Sequence, residues 1–358
     1  MEFIQNTILN KYKDKGLSGL SNVGNTCFIN SSMQILSHTY ELNELLNDET
    51  FKERIKTNND SSCLMKEWDE LRLLMWSQNC IITPNKFVRT VQAVSIKKGY
   101  ELFSGFNQND STEFLGFIID CFHTSVSREV DMTIDGEVQN ETDKMAVKCY
   151  ERIKSMYEKD YSEIWKMFYG TQVSTLTKLD HINKRAKVKP ISMIPEPFFM
   201  LSLPIPSDKR NPTLMDCFDL YTMDEILDGE NAYTNEEGGK SEKIAVKKRF
   251  MFWNFPDILV IDLKRYNVHN RKNQIAVHFP LESLDLSKYV IGYSRSYVYD
   301  LYAISNHFGG VQGGHYTSFI RNANGKWYHF NDAQVQEISE KKVITPFAYC
   351  LFYRIRKE

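Results

Sequence analysis

Apolar residues recur at helical spacing along the first third of the chain. Ile29, Met33 and Leu36 stand at i, i+4 and i+7, which gives a helix in this stretch one apolar face. The same periodicity predicts a second helix over residues 40–54 and a third over residues 108–123. These segments indicate a helical N-terminal part.

After Phe168 the pattern becomes that of strands. Short runs of β-branched and aromatic residues alternate with turns that contain Pro, Gly or Asn, and one helix is expected among them, around Leu214–Leu227. We therefore expect an α+β fold in which the helical part lies against an antiparallel sheet. The predicted strands are Thr171–Leu179, Phe198–Leu203, Lys243–Phe252, Ile258–Leu263, Tyr299–Ser305, His315–Arg321, Trp327–Phe330 and Tyr349–Ile355.

Composition and charge limit the function classes. The 358 residues exceed the roughly 250–300 that one compact core supports, so subdomains are expected. A formal net charge of -2 gives no electrostatic reason to expect a nucleic-acid partner. No apolar run reaches the roughly 18 residues of a membrane span, and no signal peptide is recognisable. The seven cysteines occur singly, as free thiols do in a reducing compartment. We expect an intracellular protein, cytoplasmic or nuclear, with no membrane partner.

Cys27 is the first candidate for chemistry. A turn-rich run, Ser21 to Thr26, delivers it to the first turn of a predicted helix, where free amides and the helix dipole favour the nucleophilic thiolate. Such sites can lower a thiol pKa from about 8.5 to roughly 3.5–7.5. A buried packing cysteine is the plainer alternative. Asn22 could donate its side-chain amide to an oxyanion, or it could stand there because Asn tolerates turn geometry.

A thiol nucleophile needs a base, and His315 is the candidate. Two glycine pairs precede it, and a predicted strand follows. Asn331 comes sixteen residues later, after a second strand. If the two strands form a hairpin through the turn at residues 322–326, the Asn331 amide oxygen can hold the imidazole in the tautomer that accepts a thiol proton. The alternative is a loop histidine with ordinary hydrogen bonds.

Two long motifs resemble those of one protein family. The stretch from Gly19 to Gln34, GLSNVGNTCFINSSMQ, resembles the cysteine box of the ubiquitin-specific proteases. The stretch from Gly313 to Asp332, GGHYTSFIRNANGKWYHFND, resembles their histidine box. Residues 108–115 are similar to the family's QQD box, with Asn109 where Gln is usual. The resemblance implies a papain-like cysteine protease fold with thumb, palm and fingers.

The resemblance runs from about Gly16 to Arg356, and so implies one catalytic domain over residues 17–356 after an N-terminal arm of residues 1–16. Its expected parts are a helical thumb over residues 17–125, a helical insertion over 126–167, mainly fingers over 168–255, and mainly palm with the histidine box over 256–356.

The resemblance also implies roles. Cys27 is the nucleophile, His315 the base, Asn331 the third member of the triad and Asp332 an adjoining helper. Asn22 and the Cys27 amide would hold the oxyanion. The implied reaction is hydrolysis at the C-terminal glycine of ubiquitin through a thioester, with ubiquitin and ubiquitinated proteins as partners and no cofactor. Because Asn carries no charge, we expect the triad to depend more on the helix dipole.

Further residues are implied for substrate binding. A Gly-Gly tail fits a narrow channel, and acidic residues suit the basic residues of the ubiquitin tail. Asp110 and Glu113 are the acidic candidates, although the same two residues form a plausible helix-capping pair. The loop of residues 307–313 is expected to be a mobile flap. The implied substrate-binding residues are Gln108, Asp110, Glu113, His307, Gly313, Gly314 and Tyr316.

The chain departs from the family at the fingers. Many members hold a zinc ion there with two Cys-x-x-Cys pairs, but the aligned positions carry no cysteine. We expect no structural zinc, fingers held by strand pairing, and a loose tip at residues 228–242. The aligned positions are Lys178, His181, Asn235 and Gly238.

Two other functions are compatible with the motifs. The first is a protease for a ubiquitin-like modifier. The second is a ubiquitin-binding pseudoenzyme that acts as a scaffold. The presence of Cys27, His315, Asn331 and Asn22 together favours an active enzyme.

Overall fold

Helices come first in the chain and strands afterwards, as the hydrophobic pattern predicts. The computed structural model describes residues 9–179, 190–237, 240–293, 295–310 and 313–356. Its helices are α1 (Cys27–Ser37), α2 (Tyr40–Asn47), α3 (Glu49–Lys52), α4 (Asp60–Ser77), α5 (Asn85–Lys97), α6 (Ser111–Val126), α7 (Glu141–Asp160), α8 (Glu163–Phe168) and α9 (Leu214–Tyr221).

Short strands at residues 19–20 and 81–82 form a small pair within the helical part, and the remaining strands follow α8. The strands are β1 (Gly19–Leu20), β2 (Ile81–Ile82), β3 (Gly170–Lys178), β4 (Ser192–Phe198), β5 (Met200–Pro204), β6 (Glu225–Leu227), β7 (Tyr233–Glu237), β8 (Lys240–Ile244), β9 (Val246–Asn254), β10 (Ile258–Lys264), β11 (Leu284–Asp285), β12 (Val298–Gly310), β13 (Gly313–Arg321), β14 (Trp327–Asn331), β15 (Gln334–Ile338) and β16 (Ala348–Ile355).

A central sheet carries the second half of the fold. Its strand order is β15-β14-β13-β12-β16-β10-β5, with β11 paired to β12. The neighbours are antiparallel, as expected, except β5 and β10, which run parallel at this edge. The chain enters β10 from the fingers and not from β5 through a tight turn, which allows the parallel pair.

The sheet separates two apolar clusters. Val260 and Phe352 point to the face that packs against the helices, together with residues of α1, α4 and α6. Leu259 and Leu351 point to the opposite face, where they meet Phe218 of α9. This alternation follows from the period of two along a strand. The N-terminal helices α1, α4 and α6 therefore lie on one face of the sheet, as expected, and α9 lies on the other.

The fingers form a second sheet of order β4-β3-β9-β6, extended by the β7–β8 hairpin. The stretch expected to form a loose tip contains β7 and β8, which pair in antiparallel register from Tyr233–Ile244 to Glu237–Lys240. Of the zinc-aligned positions, Lys178 lies on β3 and Asn235 on β7, while His181 and Gly238 fall outside the described residues. Among the described residues, no group of His, Cys, Asp or Glu is arranged to hold a metal ion.

Several predicted elements have other boundaries. The helix expected over residues 40–54 is divided into α2 and α3, because Asp48 caps α3 by accepting a hydrogen bond from the Thr50 amide. The predicted strand Lys243–Phe252 is broken between Ile244 and Val246. The expected helix at 214–227 ends at Tyr221. The insertion is helical in α7 and α8, while much of residues 127–139 is irregular.

All seven cysteines fall within the described residues and all are free thiols. None of the helices in the described ranges has both the length and the apolar character that crossing a membrane requires.

Candidate active site

Cys27 is the first residue of α1, and the turn before it is built around the side chain of Asn22. The Oδ1 of Asn22 accepts hydrogen bonds from the amides of Gly24 and Thr26, each at 3.1 Å. Gly24 and Asn25 have positive φ angles of 116° and 55°, which Gly and Asn adopt more readily than other residues. The local sequence thus places the thiol at the helix N-terminus.

His315 and Asn331 meet across the β13–β14 hairpin. The register pairs Ser318 with Phe330, which brings the two candidate residues to the same end of the hairpin. The Nε2 of His315 lies 2.7 Å from the Oδ1 of Asn331. Because an amide oxygen only accepts, Nε2 of the neutral ring carries the proton and Nδ1 remains free to accept one.

The start of α1 lies against β13 beside His315. The backbone N–H of Tyr316, the residue that follows His315, favours the thiolate form of Cys27. One turn further along α1, Ser31 donates to the carbonyl oxygen of Thr317 at 3.1 Å. These contacts join the start of the chain to its end and bring the predicted nucleophile to the strand of the predicted base.

Cys27 is only 3% exposed, and burial raises the pKa of its thiol. The backbone N–H groups of Tyr316, Phe28 and Cys27 act in the opposite direction, and the negative charge of Asp332 adds to the increase. The expectation of a lowered pKa is therefore wrong for the unliganded site, because desolvation exceeds the effect of the helix N-terminus. The resting form is a neutral thiol that needs a base.

Asp332 connects the turn before Cys27 to the end of β14. Its Oδ2 accepts from the Nδ2 of Asn22 at 3.0 Å, and its Oδ1 accepts from the Nδ2 of Asn30 at 2.8 Å. Its backbone has a positive φ of 49°, and its carbonyl oxygen accepts from the Leu20 amide. The second hydrogen of the Asn22 amide has no acceptor among the described residues, so it is available for a ligand.

A groove of about 340 Å³ opens beside Cys27. Of the residues predicted to bind substrate, all but Glu113 line it; Glu113 is exposed on the first turn of α6. The substrate-binding prediction missed four lining residues, which are Asn109, Tyr266, Asn270 and Gly310. The lining residues are Cys27, Gln108, Asn109, Asp110, Tyr266, Asn270, His307, Gly310, Gly313, Gly314 and Tyr316.

Gly314 makes the groove narrow. Its amide donates to the Oε1 of Gln108 at 2.8 Å, which joins β13 to the segment before α6. A Cβ at this position would overlap the Nε2 of His307 and the carbonyl oxygen of Phe308, so only glycine fits. The passage is therefore lined by close-packed backbone, which suits a thin extended ligand.

Asp110 caps α6 and also faces the groove. Its Oδ1 accepts from the Thr112 amide at 2.7 Å, and its Oδ2 accepts from the Tyr349 hydroxyl at 2.6 Å. The expected reciprocal cap with Glu113 is wrong, since Thr112 supplies the capping amide. Burial and the charge of Asp110 raise the pKa of Tyr349, which keeps this phenol a hydrogen-bond donor.

The expected flap at residues 307–313 is a continuation of the sheet in its described part. His307 to Gly310 belong to β12 and pair with Gly313 to Tyr316 of β13. Residues 311 and 312 fall outside the described residues.

Comparison with known proteins agrees with this architecture. The sequence model of the family described as "Ubiquitin carboxyl-terminal hydrolase" matches residues 18–353. The chain belongs to this ubiquitin carboxyl-terminal hydrolase family. Ubiquitin carboxyl-terminal hydrolase 2 of Homo sapiens is 35% identical over 358 residues, which cover 97% of this chain and 56% of the relative. Ubiquitin carboxyl-terminal hydrolase 21 of Homo sapiens is 30% identical over 366 residues, which cover 96% of this chain and 62% of the relative. The chain thus spans little more than half the length of these hydrolases.

Solved hydrolase structures share the fold. Ubp8 in a SAGA DUB module bound to ubiquitin aldehyde matches with a TM-score of 0.72 and 25% identity, over 100% of this chain and 76% of that chain. Ubp8 in the module bound to monoubiquitin gives a TM-score of 0.73 at 24% identity, over the same shares. The helical part packed on a sheet, with a second sheet extending from it, is therefore the α+β, papain-like architecture of this family, as expected.

Proposed function

We propose that this chain is a thiol-dependent deubiquitinase that hydrolyses the bond at the C-terminal glycine of ubiquitin. The main support is the arrangement of the predicted triad residues: the Nε2 of His315 lies 2.7 Å from the Oδ1 of Asn331, and the helix that begins at Cys27 packs against β13, the strand that carries His315. Family membership and the ubiquitin-bound relatives point in the same direction. Ubiquitin and ubiquitinated proteins are the proposed partners.

The first half-reaction forms the thioester. The Nδ1 of His315 takes the proton of the Cys27 thiol, and the sulfur attacks the carbonyl carbon of the terminal glycine. The electron pair moves to the carbonyl oxygen, which Asn22 and the Cys27 amide stabilise. When the C–N bond breaks, the imidazolium gives its proton to the leaving lysine amine.

The second half-reaction releases ubiquitin. Water loses a proton to the Nδ1 of His315 and attacks the thioester carbonyl, and the sulfur leaves and regains a proton from the imidazolium. Asn331 holds the ring orientation through both steps. Because the resting thiol is neutral, proton transfer to His315 belongs to the reaction itself and is not completed in the free enzyme.

The groove is suited to a substrate chain that ends in glycine and carries basic residues before that end. Gly313 and Gly314 allow close approach of an extended chain, and Tyr316 supplies an aromatic wall. Asp110 faces the groove, and Glu113 lies exposed one turn along α6, where each can pair with a cationic side chain.

Replacement of the nucleophile tests the proposal. We expect Cys27→Ala to reduce hydrolysis of a fluorogenic ubiquitin C-terminal reporter to background, with ubiquitin affinity by calorimetry unchanged. Cys63→Ala is the matched control, because Cys63 is an exposed thiol that does not line the groove, and it should keep full activity. Turnover by Cys27→Ala would refute the mechanism. Loss of binding together with a lower melting temperature would show unfolding instead.

A protease for a ubiquitin-like modifier is the second candidate, because a narrow glycine-lined passage admits any tail that ends in Gly-Gly. Reporters built on ubiquitin and on ubiquitin-like proteins separate the two. We expect the highest kcat/KM with ubiquitin, since the acidic residues beside the groove suit its basic tail. Preference for another modifier would change the substrate assignment and keep the chemistry.

The proposed function also includes the domain organisation, the metal content and the cellular location of the protein. Residues 17–356 act as one catalytic unit, with the thumb, insertion, fingers and palm divided as expected above. The fingers hold no structural zinc, which metal analysis of the purified protein tests. The protein works in the cytoplasm or nucleus, where its free cysteines stay reduced.

A further inference from the structure

A lysine beside the groove makes contacts that the mechanism above does not use. Residues 265–273, between β10 and β11, fold back on themselves, with a bridge between Tyr266 and Lys272. The Oδ1 of Asn267 accepts from the amides of His269 and Arg271, which fixes the turn. We call residues 265–273 the short hairpin. It lies beside the groove and lines it with Tyr266 and Asn270.

The ammonium group of Lys272 reaches three acceptors on β12. Its Nζ lies 3.0 Å from the Nδ1 of His307, 2.6 Å from the carbonyl oxygen of His307 and 3.2 Å from that of Gly309. An ammonium has three hydrogens, so each acceptor can receive one. This lysine therefore joins the short hairpin to the end of β12 that walls the groove.

The contact with Lys272 also fixes the tautomer of the His307 ring. Because the ammonium only donates, Nδ1 must be the acceptor, and the ring proton lies on Nε2 beside Gly314. The ring stacks on Tyr316, with centroids 4.5 Å apart. Burial and the positive charge of Lys272 lower the pKa of His307 to about 4, so the ring is neutral at neutral pH. A neutral ring with a fixed Nε2–H can donate to a backbone carbonyl in the groove.

We propose that Lys272 is a positioning residue for ubiquitin cleavage, whose ammonium fastens the short hairpin to the β12–β13 hairpin and orients His307 toward the ubiquitin tail. The inference rests on the proposed function for its substrate and on the hydrogen bonds of Lys272 for its geometry. Lys272 acts through His307 and the backbone of β12, and it takes no part in bond breaking. Its loss should weaken tail binding more than chemistry.

The charge of this lysine is sensitive to pH. Burial lowers its pKa to about 8, and the positive charge of Arg265 adds to the effect. Its titratable neighbours are Tyr266 on the short hairpin and His307 on β12, and Asp110 at the start of α6 acts on both. The ammonium is fully charged well below pH 8 and loses its proton as pH rises through that value. We expect KM for ubiquitin to rise over the same range.

Steady-state kinetics on two variants test the proposal. Lys272→Met should raise KM for a ubiquitin C-terminal reporter roughly tenfold at neutral pH, since charge-assisted hydrogen bonds are lost, with kcat changed less than about threefold. It should also abolish the rise of KM with pH. Lys272→Arg keeps the charge at high pH and should retain a near wild-type KM without the alkaline rise. Arg271→Met, an exposed neighbour on the same hairpin, is the matched control and should behave as wild type.

Hydrogen exchange supplies a readout independent of turnover. In the free protein, Lys272→Met should speed amide exchange in residues 306–310 and 313–316 and leave β10 and β16 unchanged. Wild-type KM, pH profile and exchange in this variant would overturn the proposal, as would a loss confined to kcat. A fall in melting temperature with exchange raised throughout the sheet would also overturn it, because the role would then be structural. If the wild type cleaves no ubiquitin, the proposed function fails, and exchange alone decides whether the contact holds the hairpin.

Discussion

The chemistry at Cys27 is decided by competing effects within a few ångströms. Burial favours the neutral thiol, and the backbone amides around the sulfur favour the thiolate. Burial has the larger effect in the unliganded groove, so the thiol keeps its proton more tightly than a cysteine at an exposed helix N-terminus would. The base must therefore remove this proton. Asp332 adds negative charge near the sulfur, and its two hydrogen bonds fix Asn22 and Asn30.

We predict that Asp332→Ala lowers kcat roughly 10- to 100-fold, because Asn22 loses the partner that aims its amide at the oxyanion. KM should change little, since Asp332 does not line the groove. Steady-state kinetics with a ubiquitin reporter check this. Glu337→Ala on the next strand, which removes an exposed ion pair with Lys326, is the control and should be neutral. An unchanged kcat, or a rise in KM alone, would contradict the role given to Asp332.

Single residues could be predicted from the sequence where a short, continuous motif determines their position. The place of Cys27 at the start of a helix and of Asn331 beside His315 could be predicted, because each depends on a short stretch with its own turn or hairpin. Lys272 could not be predicted, because its partner His307 comes from another strand. The direction of the Cys27 pKa shift could not be predicted either, since burial is a property of the folded chain.

Strand β10 contains a buried carboxyl group that makes the stability of the fold depend on pH. It is apolar except for Asp262 and the exposed terminal Lys264. The strand lies between β5 and β16, and Asp262 accepts a hydrogen bond from Ser202 at 2.9 Å. Burial raises the pKa of Asp262 from 3.8 to about 6, with the charge of Asp110 adding to the increase and the Ser202 hydrogen bond opposing it. The native state therefore binds this proton more tightly than the unfolded chain does.

The raised pKa gives a prediction about stability. The contribution of Asp262 is most favourable below about pH 4 and is lost as pH rises through about 6, because the buried carboxylate must then ionise. We expect Asp262→Asn to increase the free energy of unfolding at pH 7 by up to about 3 kcal/mol and to have little effect near pH 4. Urea unfolding at both pH values measures this. Exposed Asp208→Asn is the control, and destabilisation by Asp262→Asn at pH 7 would contradict the account.

The elements themselves were largely predictable from apolar periodicity. The β13–β14 hairpin follows from two strand patterns around the turn at residues 322–326. The division of the helix at residues 40–54 was missed, because a single capping bond at Asp48 interrupts an otherwise continuous apolar pattern. The β7–β8 hairpin was missed because its residues are polar and pair through the backbone, which leaves no hydrophobic signal.

Across the whole molecule, the candidate site lies where the helical part meets the sheet. The helix of Cys27 packs against β13, and the turn after β14 reaches back through Asp332 to the first strand. The fold class could be predicted from the change of pattern near Phe168. The parallel pairing of β5 with β10 could not, because pairing direction depends on how the fingers intervene between them.

Reaction of the purified protein with ubiquitin that carries a C-terminal electrophile tests the central claim most directly. Intact-mass spectrometry and peptide mapping should show a single adduct, on Cys27, although six other free thiols are present. His315→Ala should slow its formation strongly, since the buried thiol needs the base. Absence of an adduct with folded protein, or an adduct on another cysteine, would contradict the assignment of Cys27 as the ubiquitin-directed nucleophile.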